Sequence, residues 1–144
     1  MTGTLVDSNV LLDVLSEDQH WFEWSSEALK QCAEDSTLVI NSVIYAEVSI
    51  RFETVEELED ALPRSLFERR DLPWEAAFLA GKCFMRYRRA GGPRTAPLPD
   101  FFIGAHAAVE NLVLLSRDPA RYRTYFPHVR LLAPDGQGPL AARK

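Results

Sequence analysis

The chain contains few of the residue types that mark extracellular or membrane proteins. Two of its 144 residues are cysteines, and no apolar run approaches the ~20 residues that a membrane-spanning helix needs. Residues 1–7 carry no basic charge and reach an acid at once, so we expect neither a signal peptide nor a membrane association. Cys32 and Cys83 lie in apolar, helix-like surroundings, which predicts buried, reduced thiols in a cytoplasmic protein.

Lysine is also scarce, and the formal net charge is −5. Three of the 16 basic residues are lysines, and a surplus of negative charge argues against nucleic-acid binding, because phosphate neutralisation needs Lys and Arg. The arginines are nevertheless unevenly spread: residues 86–89 read Arg-Tyr-Arg-Arg, and Arg94 follows. This segment is either a solvated helix end, whose cations complement the helix dipole, or a phosphate contact.

Length and composition fit one globular domain. The apolar fraction is 47% and the charged fraction 26%, both ordinary for a soluble protein with one hydrophobic core. We place the domain at residues 1–133 and predict a mobile C-terminal tail at 134–144, where Gly136, Gly138 and Pro139 occur.

Short apolar segments alternate with helical patterns along the chain. Strands are predicted at 4–6, 37–40, 112–115 and 129–132, with an irregular candidate at 65–72. Helices are predicted at 9–15, 20–34, 42–52, 55–62, 74–89, 99–111 and 119–126, with a loop at 91–99. Apolar strands separated by helices indicate an α/β fold with a parallel sheet of four or five strands, covered on both faces.

Four carboxylates lie at the ends or on the apolar faces of these elements. Asp7 and Asp118 follow predicted strands, Asp100 lies in the first turn of a helix, and each has an ordinary explanation as a helix cap or dipole partner. Glu47 is harder to explain, because it shares an apolar helical face and has only a weak i+4 partner, Arg51.

Considered together, the four acids indicate a metal site. Ligands collect beyond the carboxyl ends of parallel strands, so all four can converge on one edge of the sheet. Carboxylates so placed repel one another unless cations bind, and all-oxygen ligands suit Mg²⁺ or Mn²⁺. Such ions promote phosphodiester hydrolysis, and they also neutralise acids that otherwise repel a nucleic acid.

The ordered set of motifs resembles the PIN-domain ribonucleases, above all the toxins of VapBC toxin–antitoxin pairs. The resemblance covers about residues 4–132 and is carried by four segments, 5–12, 41–47, 98–107 and 114–118. It implies an α/β/α sandwich and a Mg²⁺- or Mn²⁺-dependent endoribonuclease. It also implies a cognate antitoxin as a partner, and we expect a homodimer.

Individual residues carry over from this resemblance. The family's metal-binding and catalytic acids match Asp7, Glu47, Asp100 and Asp118. Supporting polar positions match Asn9 and Ser116. Candidate RNA contacts are Arg86, Arg89 and Arg117, the last of which either touches a phosphate or points to solvent.

Other features favour structural roles or alternative functions. His106 is predicted to be a structural residue, and Trp21, Phe22 and Trp24 are predicted to be partly core, with one of them in an antitoxin groove. A housekeeping RNA-processing enzyme on the same scaffold is an alternative. So is a non-catalytic interaction module on a degenerate nuclease scaffold. A phosphoacceptor domain is disfavoured, because it needs a late lysine and none lies between Lys82 and Lys144.

Overall fold

Five short apolar segments pair into one all-parallel sheet in the computed structural model, which describes residues 2–93 and 98–134. In chain order the strands are β1 (Gly3–Val6), β2 (Thr37–Ile40), β3 (Phe67–Arg69), β4 (Val113–Leu115) and β5 (Leu131–Leu132). Their spatial order is β3-β2-β1-β4-β5, so β1 is central. Every residue of β1 is buried, as expected for a strand whose two faces are both covered.

Seven helices connect these strands in the described residues. They are α1 (Ser8–Leu15), α2 (Phe22–Asp35), α3 (Ser42–Ser49), α4 (Val55–Ala61), α5 (Trp74–Arg89), α6 (Leu98–Glu110) and α7 (Ala120–Tyr125). The predicted α/β architecture is therefore confirmed, with five strands. Within residues 2–93 and 98–134, no helix combines the length and apolar character needed to cross a bilayer.

Side-chain caps fix the starts of three helices. The Asp7 carboxylate accepts a hydrogen bond from the backbone N–H of Ser8, and the Asn41 side chain accepts one from Ile44 at 2.9 Å. Thr54 and Glu57 form the reciprocal capping box that their spacing predicts. Because Asp7 and Asn41 directly follow β1 and β2, these caps fix how α1 and α3 leave the sheet.

The structure corrects several predicted boundaries. Helix α3 ends at Ser49 and not near residue 52, because the N–H groups of Arg51 and Phe52 bond three residues back, to Val48 and Ser49. The irregular segment 65–72 contains the edge strand β3. Strand β4 starts one residue later than predicted, after Asn111 adopts a positive φ of 55°.

The core lies around β1 and β4 and includes both cysteines, which are buried and free as predicted. The predicted structural role of His106 is confirmed: its fully buried ring contacts Asn41 Nδ2 at 2.9 Å and Glu110 Oε1 at 3.0 Å. The predicted mobile tail lies, from residue 135 onward, outside the described residues. So do residues 94–97 of the predicted loop.

Candidate active site

Asp7 is the most enclosed acid of the site. It follows the central strand β1, and its side chain is 3% exposed. Its Oδ1 accepts from the Ser8 backbone at 2.8 Å, while Oδ2 accepts from Ser116 Oγ at 2.8 Å and from Tyr122 Oη at 2.9 Å. Burial raises the pKa of Asp7 to about 7, with the negative charges of Asp100 and Glu47 adding to the rise and the two hydroxyl bonds opposing it.

Glu47 is half-buried on α3, at the same edge of the sheet. Ser8 Oγ donates a hydrogen bond of 2.7 Å to its Oε1, so its partner in the structure is Ser8 and not the expected Arg51. Burial raises the pKa of Glu47; the Ser8 bond lowers it and the charge of Asp100 raises it further. The first turn of α1 and the middle of α3 therefore meet at this carboxylate.

Asp100 lies in the first turn of α6 and forms an ion pair with Arg121. Arg121 Nη1 donates to its Oδ2 at 2.8 Å. Burial raises the pKa of Asp100 even though Arg121 opposes the rise, and the charge of Asp118 also raises it. Asp100 is therefore electrostatically linked to each of the other three acids.

Asp118 lies at the rim of the site. Its side chain is 75% exposed, and its Oδ2 is 3.8 Å from Arg117 Nη1. Its backbone N–H donates to Ser116 Oγ at 3.1 Å. The chain therefore places three of the predicted acids in partly or fully buried positions and the fourth at the solvent boundary.

The chemistry of this donor set fits a hard divalent cation, since it consists of carboxylate oxygens with hydroxyl groups beside them. The present side-chain positions do not preform a metal centre: among residues 2–93 and 98–134, no group of three or more His, Cys, Asp or Glu side chains is close enough to hold an ion. The carboxylates instead make hydrogen bonds or ion pairs with Ser8, Ser116, Tyr122 and Arg121.

Both predicted supporting residues lie at Asp7. Ser116, which is fully buried, donates to Asp7 and accepts from the Asp118 backbone, so one hydroxyl joins two of the acids. Asn9 Nδ2 lies 3.3 Å from Ser116 Oγ and 3.4 Å from Asp7 Oδ2. Its Oδ1 accepts from the Arg117 backbone at 3.1 Å, which holds the loop after β4 against α1.

The Arg117 side chain is held by neighbouring residues and does not extend freely into solvent. Its guanidinium makes a bidentate pair with Asp13, at 2.7 and 3.0 Å, and lies 5.3 Å from the centre of the Trp21 ring. Asp13 is buried and also accepts from Ser25 Oγ at 2.7 Å. A phosphate contact by Arg117 stays a prediction, and it would compete with this pair.

The other predicted RNA contacts lie at the end of α5. Arg86 and Arg89 are exposed, and the Arg86 guanidinium lies 5.9 Å from the Tyr125 ring. Among the aromatic residues of α2, Trp24 is core at 4% exposure and Phe22 is 37% exposed. The predicted division between core and surface is therefore confirmed, whereas a groove for a partner stays a prediction.

Sequence reasoning missed three groups that contact the acids directly, Ser8, Arg121 and Tyr122. It also missed Asp13, which holds Arg117 beside the site. Two of them carried a usable signal. Asp13 lies four residues after Asn9 on the same face of α1, and Tyr122 lies four residues after Asp118. Their partners come from elements more than 100 residues away, so periodicity alone could not pair them.

Comparison with known families identifies the family of this chain. The family model of the PIN domain matches residues 4–127, which is most of the chain and includes all four acids. The chain belongs to the PIN domain family. The predicted resemblance to PIN-domain proteins is therefore confirmed.

Several solved structures share the fold. A chain of VapBC2 from Rickettsia felis, bound to a DNA fragment from its promoter, matches with a TM-score of 0.70 at 18% identity, covering 91% of this chain and 98% of that one. A chain of VapBC-1 from nontypeable Haemophilus influenzae matches with a TM-score of 0.69 at 17% identity, covering 91% of this chain and 97% of that one. A chain of a toxin–antitoxin complex from Klebsiella pneumoniae matches with a TM-score of 0.62 at 20% identity, covering 83% of this chain and 89% of that one. No curated protein sequence matches this chain significantly.

Proposed function

We propose that this PIN protein is a Mg²⁺- or Mn²⁺-dependent endoribonuclease. The observation that carries the proposal is the mutual electrostatic coupling of Asp7, Glu47 and Asp100, whose pKa values are all raised at the carboxyl edge of the sheet. A counter-charge would relieve this repulsion, and a divalent cation supplies one together with the chemistry of phosphodiester hydrolysis.

The chain's own residues prepare the site for this reaction. Asp7, Glu47 and Asp100, with Asp118 at the rim, would hold the cation, which when bound activates a water nucleophile and neutralises charge on the phosphate. Ser116 and Tyr122 hold the Asp7 carboxylate in one orientation, and Ser8 does the same for Glu47. In the proposed hydrolysis, a water oxygen forms a bond to phosphorus in line as the bond to the 3′-oxygen breaks. The water loses a proton and the 3′-oxygen gains one, so the products carry a 3′-hydroxyl and a 5′-phosphate.

The protein is further proposed to be the toxin of a type II toxin–antitoxin pair, acting in the cytoplasm as a homodimer. The toxin assignment is supported by the matched structures, which include VapBC proteins and a toxin–antitoxin complex. The matches extend over most of this chain and over most of each matched chain. An adjacent small gene whose product co-purifies with the protein and suppresses cleavage would support this assignment. A housekeeping RNA-processing enzyme would cleave RNA without such an inhibitor.

The deciding experiment is RNA cleavage by the wild type and by Asp7→Asn, each with Mg²⁺ or Mn²⁺ and with EDTA. Removing the most enclosed acid should lower the rate by at least about a hundredfold, the scale of transition-state stabilisation by a positioned charge. Asp60→Asn, at an exposed aspartate of α4, is the matched control and should cleave normally. Equal rates for both variants, or cleavage that persists in EDTA, contradict the proposal, and no cleavage at all favours an interaction module.

A further inference from the structure

Among the described residues, Arg121 makes the shorter of two ion pairs to the acids of the candidate active site; the other joins Arg117 to Asp118 at 3.8 Å. Arg121 Nη1 lies 2.8 Å from Asp100 Oδ2, and both side chains are about one-third exposed. Arg117 differs, since two of its guanidinium nitrogens are bound to Asp13. Among the described residues, Asp100 is the one hydrogen-bonding partner of Arg121, so most of the five donors of its guanidinium are unused.

An aromatic platform holds Arg121 independently of Asp100. The guanidinium lies 5.5 Å from the centre of the Tyr87 ring. That ring packs against Phe101 at 5.5 Å and against Tyr125 at 6.1 Å between centroids. A cation stacked on a packed ring keeps its place when one anionic partner is withdrawn. Arg121 can therefore lose Asp100 and still face the site.

An open cavity lies next to this arginine. It has a volume of about 400 Å³, and its lining includes Tyr87, Asp118, Arg121 and Thr124. A space of this size suits a small ligand such as a nucleotide unit. It reaches from the rim acid Asp118 to the guanidinium, whose planar fork matches phosphate oxygens.

Arg121 and a divalent cation compete for the same carboxylate. Asp100 is one of the acids proposed to hold the ion, and its Oδ2 is now bound by the guanidinium. Two cations close to one carboxylate repel each other, so binding of either weakens the other. The coupling is reciprocal, which means that neutralising Arg121 should strengthen divalent-cation binding.

We propose that Arg121 is a substrate-binding residue of this site, which binds an RNA phosphate beside the scissile bond once a divalent cation has replaced it at Asp100. The inference rests on the proposed nuclease function and adds to it a specific phosphate-binding group. It assigns two opposite effects to one side chain: Arg121 weakens metal binding and strengthens RNA binding. A merely structural ion pair between α6 and α7 could weaken metal binding by occupying Asp100, but it would not strengthen RNA binding.

The first test is calorimetric titration with Mn²⁺ alone. Arg121→Gln should bind Mn²⁺ roughly tenfold more tightly than the wild type, within the usual range of coupling between sites. Arg123→Gln, at an exposed arginine two residues further along the same helix, is the matched control and should bind as the wild type does. Unchanged or weaker Mn²⁺ binding by Arg121→Gln overturns the proposal.

The second test measures RNA binding by fluorescence anisotropy, with a labelled single-stranded RNA and Ca²⁺ in place of Mn²⁺. Arg121→Gln should bind about tenfold more weakly than Arg123→Gln, because it loses a charge-assisted contact. Arg121→Lys should recover part of the loss as a point charge. Equal RNA affinity for the Gln variants at 121 and 123 overturns the proposal.

Circular dichroism verifies folding of each variant. If Arg121→Gln does not fold, Arg121→Met, which keeps an apolar stem over Tyr87, replaces it in both titrations with the same expected results. Cleavage by the wild type with Mn²⁺ is measured separately. A wild type that binds Mn²⁺ but cleaves no RNA refutes the proposed nuclease function, whereas the two Arg121 affinities test the inference by themselves.

Discussion

Asp7 combines a full set of hydrogen bonds with a pKa near neutrality. Its oxygens accept from Ser8, Ser116 and Tyr122, which would normally keep a carboxylate acidic. Burial and the charges of Asp100 and Glu47 outweigh those bonds and bring the pKa to about 7. The hydrogen bonds thus favour the charged carboxylate, while burial and the neighbouring acids favour the protonated form.

The raised pKa of Asp7 should make the stability of the protein depend on pH. The pKa of Asp7 is about 7 in the folded protein and near 3.8 when unfolded, so the folded state binds the proton more tightly. Its contribution to stability is therefore fully present below about pH 4 and is lost as pH rises towards and through 7. The Asp7→Asn variant has no titrating carboxyl group at this position, so it does not lose stability in this way as pH rises. In EDTA, its stability relative to the wild type should increase between pH 4 and 8 by up to about 4 kcal/mol, since one pKa unit corresponds to about 1.4 kcal/mol.

Urea unfolding at pH 4.5, 6 and 8 measures this difference. Asp60→Asn, at an exposed aspartate, should follow the wild type across the range. If the stabilities of Asp7→Asn and the wild type change in parallel with pH, Asp7 does not carry the raised pKa.

At the scale of elements, the site depends on how closely α6 approaches the end of α7. Gly104 lies one turn after Asp100, and a Cβ at this position would come within 2.4 Å of the Phe126 ring. Phe126 is 5% exposed, so its ring has little room to move. Glycine at this position lets the helix that carries Asp100 pack against the chain segment that carries Arg121 and Tyr122.

Two glycines in helix interiors should therefore respond oppositely to alanine. Gly104→Ala should destabilise the protein by about 1–3 kcal/mol, because overpacking displaces α6 or Phe126. In α5, a Cβ added to Gly81 would meet no atom within 4 Å, so Gly81→Ala should stabilise the protein by about 0.5–1 kcal/mol through helix propensity. Thermal unfolding of the two variants gives the sign of each change in stability directly. Changes of the same sign would refute the predicted difference in packing at the two positions.

Local sequence signals account for most of the elements. Strands β1, β2 and β4 are continuous apolar runs, and the caps at Asp7, Asn41 and Thr54 are local signals, so these elements were predictable. Strand β3 was ambiguous because only Phe67 is buried among charged neighbours at the sheet edge. Local patterns also singled out the four acids, whose role in a metal site stays a prediction.

The partners of these acids could not be predicted in the same way. The Tyr122–Asp7 and Arg117–Asp13 contacts join residues 115 and 104 positions apart, and they depend on how the loop after β4 folds over α1. No local pattern encodes that approach. This is why the sequence pointed to Arg117 as an RNA contact and did not point to Arg121.

At the scale of the whole molecule, the proposed metal site predicts that stability depends on divalent cations. The chain carries a net charge of −5, and several acids are concentrated at one end of the parallel sheet. A ligand that binds only the folded state stabilises it by RT ln(1 + [L]/Kd), or about 2.7 kcal/mol at one hundred times Kd. For a domain of this size, that corresponds to a rise in Tm of roughly 5–10 °C with saturating Mn²⁺.

The increase should be larger at pH 8 than at pH 5.5, because protons compete with the cation for carboxylates whose pKa values are raised. Differential scanning fluorimetry at constant ionic strength separates this specific effect from screening. Asp7→Asn should show little or no increase, and Asp60→Asn should behave as the wild type. If Mn²⁺ stabilises Asp7→Asn as much as the wild type, the ion binds elsewhere and the acidic edge is not its site.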